Sequence, residues 1–179
     1  MTKAASIASN ASVTAPTQTW LALVSIGPLC PPAGGVVHLG AFLNCLSGFA
    51  VNADAMRRAV QYAKDRVVFD RPIGMNQGIQ HPLAERWMAL EAAWQMVQKG
   101  AWLYDQHQPC GAEANSAKFL GARAGYESCL QAVLTHGGFG YAKEYHVERY
   151  LREALVLRIA PISPHLILSN IAENVLGLP

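Results

Sequence analysis

The sequence predicts an all-α fold, an up-down bundle of antiparallel helices behind a poorly structured N-terminal leader. Three observations predict it. Apolar residues recur at spacings of 3 and 4 from residue 56 to residue 133, the helical period. No stretch alternates with the two-residue period of a convincing strand. The charge is also divided: every acidic residue falls at Asp54 or later, and residues 4–53 carry no formal charge.

The chain has 179 residues, the size of one domain. Its hydrophobic share is 51% and its charged share 15%, against a usual charged share of about 25%, so core material is ample and global disorder is excluded. A net charge of +2 leaves no field strong enough to grip nucleic acid. Residues 1–50 form the leader. Its first sixteen residues are rich in Ala, Ser and Thr but lack the arginines of a transit peptide. Trp20 to Val51 is apolar, yet Pro28, Pro31, Pro32, Gly34 and Gly35 cut it into pieces too short for the roughly 20 unbroken residues of a membrane span.

From residue 51 to 179 the reading is helix after helix. The first runs from Asn52 or Asp54, either of which can cap it, to Val68, with Met56, Val60, Ala63 and Val67 on one side. It stops where Pro72 forces its predecessor out of helical geometry. The second runs from Pro82 to Gln106 on a core stripe of Leu83, Trp87, Leu90, Trp94, Val97, Ala101 and Tyr104. The third covers Ala112 to Leu134 with Phe119, Ala122, Tyr126, Cys129 and Val133, and ends at Gly137 and Gly138. Two shorter helices follow, Val147 to Leu157 and Pro164 to Leu176, the last capped by Ser163 and closed by Gly177. Antiparallel packing of such helices gives an up-down bundle.

Two segments concentrate chemistry. Arg66 to Gln80 joins Arg66 and Arg71 to an aromatic ring, glycine turns and amides; guanidinium groups suit phosphate oxygens, although arginines at a helix end are also often simply solvated. Thr135 to Tyr141 holds three glycines whose backbone N–H groups can face an anion, or can merely end the helix. His136 beside that turn reads as a hydrogen-bonding structural residue. Cys30, Cys45, Cys110 and Cys129 form no C-x-x-C pair, so they specify neither a zinc ribbon nor a redox motif and read as free thiols.

Taken together, Tyr62-Ala63-Lys64-Asp65-Arg66-Val67-Val68-Phe69, Arg71-Pro72-Ile73-Gly74, Gln77-Gly78-Ile79-Gln80, Thr135-His136-Gly137-Gly138-Phe139-Gly140-Tyr141 and Glu148 to Ala154 resemble, in order and spacing, the C-terminal helical domain of the acyl-CoA dehydrogenase family. The resemblance covers about residues 50 to 179. It implies an up-down four-helix bundle, the third domain of FAD flavoproteins that oxidise the Cα–Cβ bond of acyl-CoA thioesters and assemble through this bundle. It also implies that Arg66, Phe69 and Gln77 hold the FAD of a neighbouring subunit, and that Gly137 and Gly138 contact its adenosine half. Val68 stands where many members carry a polar residue, and Leu134 where a glutamine is usual.

The position matching the family's catalytic glutamate is Pro161, which has no proton-accepting side chain, and the first 50 residues hold no acid to replace it. No catalytic residue and no metal ligand is assigned. Ser163 matches a small hydroxyl residue near the flavin, and its capping role explains it equally well. The resemblance therefore implies a dehydrogenase-type domain, a fragment with little or no activity alone, with acyl-CoA as partner where the missing domains are supplied. The alternative is a non-catalytic oligomerisation or regulatory module that joins full-length relatives, and a third reading has Trp20–Val51 attach to membranes.

Overall fold

The computed structural model describes residues 51–160 and 162–179. The leader and Pro161 lie outside the described residues. Among those described, five helices carry the fold: α1 over residues 51–65, α2 Gln77–Asp105, α3 Gly111–His136, α4 Val147–Ile159 and α5 Pro164–Asn174. A two-residue hairpin, β1 Val67–Val68 with β2 Arg71–Pro72, lies between α1 and α2, and short 3₁₀ turns cover Ile73–Met75, Gly137–Tyr141 and Lys143–Tyr145. None of these helices alone is long and apolar enough to cross a membrane.

Interhelical bonds set the directions. Arg86 of α2 pairs with Glu127 of α3, and Lys99 with Glu113 at 3.0 Å, so α2 and α3 run antiparallel. Asn52 lies against Gly125 and Tyr62 against His136, so α1 runs parallel to α3. Lys118 of α3 donates to the carbonyls of Leu157 and Ala160 at the end of α4, while Cys129, about three turns further along α3, feels the charge of the earlier Glu153, so α4 runs back antiparallel. The result is the expected up-down bundle, with α5 tied to α3 through Asn115 and Asn170 at 2.9 Å.

α3 is the central element because its inward positions are small. Ala114, Ala117, Gly121, Ala124, Gly125, Ser128 and Ala132 are all buried, and small side chains let neighbouring helix backbones approach closely. The Asn52 amide occupies the space a Cβ would take at Gly125, and Cys129 donates to Asn52 Oδ1 at 3.4 Å. Burial pushes the Cys129 thiol up to about 12, with the Glu153 charge adding, so it stays protonated.

Several boundaries and faces differ from the sequence reading. α1 ends at Asp65, not Val68, because Val67–Val68 turn into the hairpin, where Phe69 (φ 52°) and Asp70 (φ 60°) adopt left-handed backbone. Asn52 and Asp54 are not caps; the chain is already helical at residue 51, and both side chains reach other helices. α2 begins at Gln77 and carries Pro82 inside it, which forgoes only a bond to the water-exposed Gly78. Of its stripe, Leu83, Leu90 and Val97 are buried with Ala93 and Gly100, but Trp87 is 55% exposed. Val60 and Val67 likewise face outward. The N-cap of α5 follows expectation, with Ser163 Oγ accepting from Leu166 N at 3.3 Å, but the helix ends at Asn174, short of Leu176, and Gly177 turns the chain beyond it at φ 68°.

One polar cluster locks α1 to α4. Tyr150 donates to Asp54 at 2.6 Å, Arg58 at 2.8 Å, and Arg57 adds a third bond, while Arg58 and Arg149 lie over the Tyr150 ring. Burial alone would raise the Asp54 carboxyl, but the bonds from Arg58, Tyr150 and Arg57 outweigh it and hold the pKa at about 2. Burial and the neighbouring carboxylate push the Tyr150 hydroxyl up.

Two predictions follow from this packing. Gly125→Ala gains roughly 0.5–1 kcal/mol of helix propensity but overpacks the buried Asn52, a change that typically costs about 1–3 kcal/mol; the net in urea unfolding is destabilisation of about 1–2 kcal/mol. Because the folded Asp54 pKa lies below its ordinary 3.8, its stabilisation is complete above about pH 5 and lost as pH falls toward 2. With partial screening at 28% side-chain exposure, that contribution is about 1–2 kcal/mol. Asp54→Asn removes most of this acid-side slope in unfolding measured from pH 6 to pH 2.

Candidate functional site

The two chemistry-bearing segments of the sequence meet at the end of the bundle where α1 and α3 stop. Arg66 follows the last turn of α1, its N–H bonded to Tyr62 O at 2.8 Å and its carbonyl accepting from Ile73 N at 2.9 Å. The loop after it is braced by its own amides. Arg71 donates to Asn76 Oδ1 at 2.7 Å, Asn76 Nδ2 to Ile73 O at 3.1 Å, and Gln80 Nε2 to Gly74 O at 2.7 Å. Gly74 packs on the Ala63 carbonyl of α1, where a Cβ would crowd the backbone at 2.9 Å. Arg71, one of the two candidate arginines, is thus engaged structurally.

Arg66 is engaged differently. Its guanidinium carbon lies 5.5 Å from the centroid of the Phe139 ring, on the first 3₁₀ turn after α3, and no carboxylate of the described residues pairs with it. The neighbouring Asp65 is held instead by Gln61 at 2.9 and 3.0 Å. A guanidinium presented on an aromatic face with its charge unmatched is suited to an anionic ligand.

Behind Arg66 the rings stack. His136 lies 4.2 Å from Tyr62 at an interplanar angle of 25°, Tyr145 meets both edge-on, and Phe139 tilts against Tyr145 at 5.4 Å. His136 Nδ1 lies 2.7 Å from Ala132 O; a carbonyl only accepts, so Nδ1 carries the proton and donates. Burial pushes the His136 pKa down, the Ala132 bond partly offsets it, and the Arg58 charge lowers it further. His136 is therefore the hydrogen-bonded structural histidine that the sequence suggested.

The glycines divide by role. Gly140 presses on α3, since a Cβ there would strike the Val133 carbonyl. Gly137 has φ 59° and ψ −133°, a conformation close to glycine-only. Gly138 has neither constraint: its φ is ordinary and a Cβ would meet nothing within 4 Å. Phe69 is a second oddity, 93% exposed at the hairpin tip and left-handed at φ 52°. That conformation costs a non-glycine residue roughly 1–2 kcal/mol, and the exposed ring recovers none of it by burial. Gln77 stands exposed at the first position of α2.

The structure joins Arg66 to the glycine turn through Phe139 and places Phe69 and Gln77 on the same loop system. The sequence reading missed that Phe139 is what connects Arg66 to that turn. The available signal was an aromatic residue set between glycines one position past the pair.

The sequence model described as the acyl-CoA dehydrogenase C-terminal domain matches residues 34–176, taking in residues 34–50 of the stretch assigned to the leader. An acyl-CoA dehydrogenase of Mycobacterium bovis, FadE12, is 41% identical over 152 residues, 80% of this chain and 39% of that protein. The structure resembles butyryl-CoA dehydrogenase of Megasphaera elsdenii, with TM-score 0.74 and 29% identity over 76% of this chain and 36% of that one. The FAD complex of PigA matches at TM-score 0.76 and 25% identity, over 82% of this chain and 39% of PigA. The chain thus spans well under half the length of these proteins.

Substitutions separate folding from presentation at this site. Gly137→Ala forces a non-glycine residue into a disallowed region and lowers stability by about 1–3 kcal/mol, whereas Gly138→Ala leaves the thermal midpoint unchanged. Phe69→Gly relieves the turn, so its stability equals or exceeds that of the parent by up to about 1 kcal/mol. Thermal and urea unfolding of the three variants checks this ranking.

Proposed function

The chain belongs to the acyl-CoA dehydrogenase family, and on that premise we propose that it is a flavoprotein domain for oxidising the Cα–Cβ bond of acyl-CoA thioesters, contributing Arg66, Phe69, Gln77, Gly137 and Gly138 to the FAD of a neighbouring subunit. The observation that carries this reading is Phe69, a strained ring held in solvent at the tip of a braced loop. The left-handed backbone serves the two-residue hairpin, but the phenyl ring is 93% exposed and buries nothing within the protomer, which points to a contact outside it. The unmatched Arg66 guanidinium supports the reading because its geometry suits a diphosphate, and the open space at Gly138 admits close approach of a ligand to backbone.

FAD supplies the hydride acceptor in this chemistry. What the chain itself provides is binding and orientation: a positive charge at Arg66, an aromatic face at Phe69, an amide at Gln77 and open, side-chain-free backbone at Gly138. It provides no general base where the family's usual glutamate falls, since Pro161 has no proton-accepting group. In this reading the α-proton is removed by a group outside residues 51–179, and this stretch alone is a cofactor-holding and assembly domain with impaired or no turnover.

The second reading, a non-catalytic oligomerisation or regulatory module for full-length relatives, draws on a separate observation. α4 and α5 expose Leu155, Val156, Ile159, Leu166 and Leu168, and Val175 just past the end of α5 is exposed as well. Apolar exposure of this kind is suited to cover by another protein surface.

Visible absorbance and light scattering on the purified chain, with and without added FAD, test both. We expect an oligomer that carries flavin bands through gel filtration, and Arg66→Gln to weaken FAD retention about tenfold, the loss of one charge-assisted hydrogen bond. Protein that retains no flavin and assembles with no flavoprotein dehydrogenase overturns the cofactor reading. Assembly with a full-length relative without any flavin contribution selects the module.

A further inference from the structure

We infer that Tyr62, His136, Tyr145 and Phe139 form an aromatic bracket that positions the Arg66 guanidinium beside the Gly137–Gly138 turn, for the diphosphate of a dinucleotide. The ligand class rests on the cofactor reading above; the bracket rests on geometry alone.

The rings come from three separate segments: the last turn of α1, the last turn of α3 and the 3₁₀ turns after it. They are in contact in series. Tyr62 stacks on His136 at 4.2 Å, Tyr145 meets His136 at 5.5 Å and Phe139 at 5.4 Å, and Phe139 carries Arg66 at 5.5 Å. Two points of the series are anchored. His136 is tied to Ala132 O at 2.7 Å, and Gly140, next to Phe139, is clamped on the Val133 carbonyl.

Packing alone does not account for the outer members. Phe139 is 46% exposed, and Arg66 is exposed without a carboxylate partner. A free arginine side chain samples many rotamers, and an aromatic face that holds the planar fork in one place removes ordering that a ligand would otherwise have to impose. The residue next to the open Gly138 is the residue that holds Arg66, so the cation and the exposed glycine backbone are kept together by one peptide link. Phe139 acts on Arg66 directly. Tyr145 and His136 act through Phe139 and are positioning residues.

The test uses the full chain with inorganic pyrophosphate and ADP as probes, read by NMR of the Arg66 side chain and by calorimetry. We expect the Arg66 δ protons to be shifted upfield by the Phe139 ring and the Arg66 Nε–H to respond to pyrophosphate. Phe139→Leu should abolish the ring shift and weaken pyrophosphate by about two- to fivefold, the range of an exposed cation–π contact, with the thermal midpoint little changed. Phe139→Tyr should restore both. Tyr145→Leu should reproduce the loss without touching Arg66. An Arg66 ring shift that is absent in the parent, or that survives Phe139→Leu, overturns the bracket whatever the probes do. Unchanged pyrophosphate affinity in Phe139→Leu, with affinity lost in Arg66→Gln, also overturns it. Unchanged affinity in Arg66→Gln with the ring shift intact instead overturns the phosphate reading and leaves the bracket standing.

Discussion

The close approach of α1 to α3 at Gly125 governs the rest of the molecule. Asn52 fills the space of the missing Cβ, and that one contact fixes how far α1 slides along α3. Two parallel helices have the same rise per residue, so the register set at Asn52 and Gly125 is inherited further along, where Tyr62 arrives against His136. Arg66 then leaves α1 beside the 3₁₀ turn that carries Phe139. A helix displaced by one turn, about 5.4 Å, would break the stack and separate Arg66 from the glycines.

Two kinds of force hold that register. Burial of small and apolar side chains is non-directional and tolerates sliding, because one alanine resembles another. The Asp54–Arg58–Tyr150 cluster is directional: the 2.6 Å bond from Tyr150 to Asp54, with the Arg58 guanidinium over the Tyr150 ring, is met in one alignment of α1 and α4 only. Lys118 does the same between α3 and the end of α4, where its buried ammonium meets the last carbonyls of that helix. The helix C-terminus carries partial negative charge, which stabilises a buried lysine ammonium placed against it. The bundle is thus apolar in bulk and polar at the points that set alignment.

The loop after α1 shows the opposite tendency. Its backbone is braced by Asn76, Gln80 and Gly74, yet what it holds outward is a left-handed, solvent-exposed Phe69. Local rules favour asparagine or glycine at such a position, and a departure from them on a rigid scaffold is where function is expected. The same contrast separates Gly140 and Gly137, each required by packing or backbone, from Gly138, which the fold leaves free.

The helices, their order and most of their ends were determined by the sequence itself, because the 3.6-residue period, the Ser163 cap and the terminal glycines act within one or two turns. The loop and glycine segments were also recognisable as chemistry, from residue types standing next to one another in the chain. Tertiary structure decided the rest. Trp87 and Val60 sit on apolar stripes yet face outward, while Asn52 and Lys118 are polar and buried, since burial depends on how near the neighbouring backbone comes and not on the side chain's own hydropathy. The pairing of Arg66 with Phe139 spans 73 positions. No local pattern encodes it; it exists because a glycine in α3 lets α1 approach to a single register.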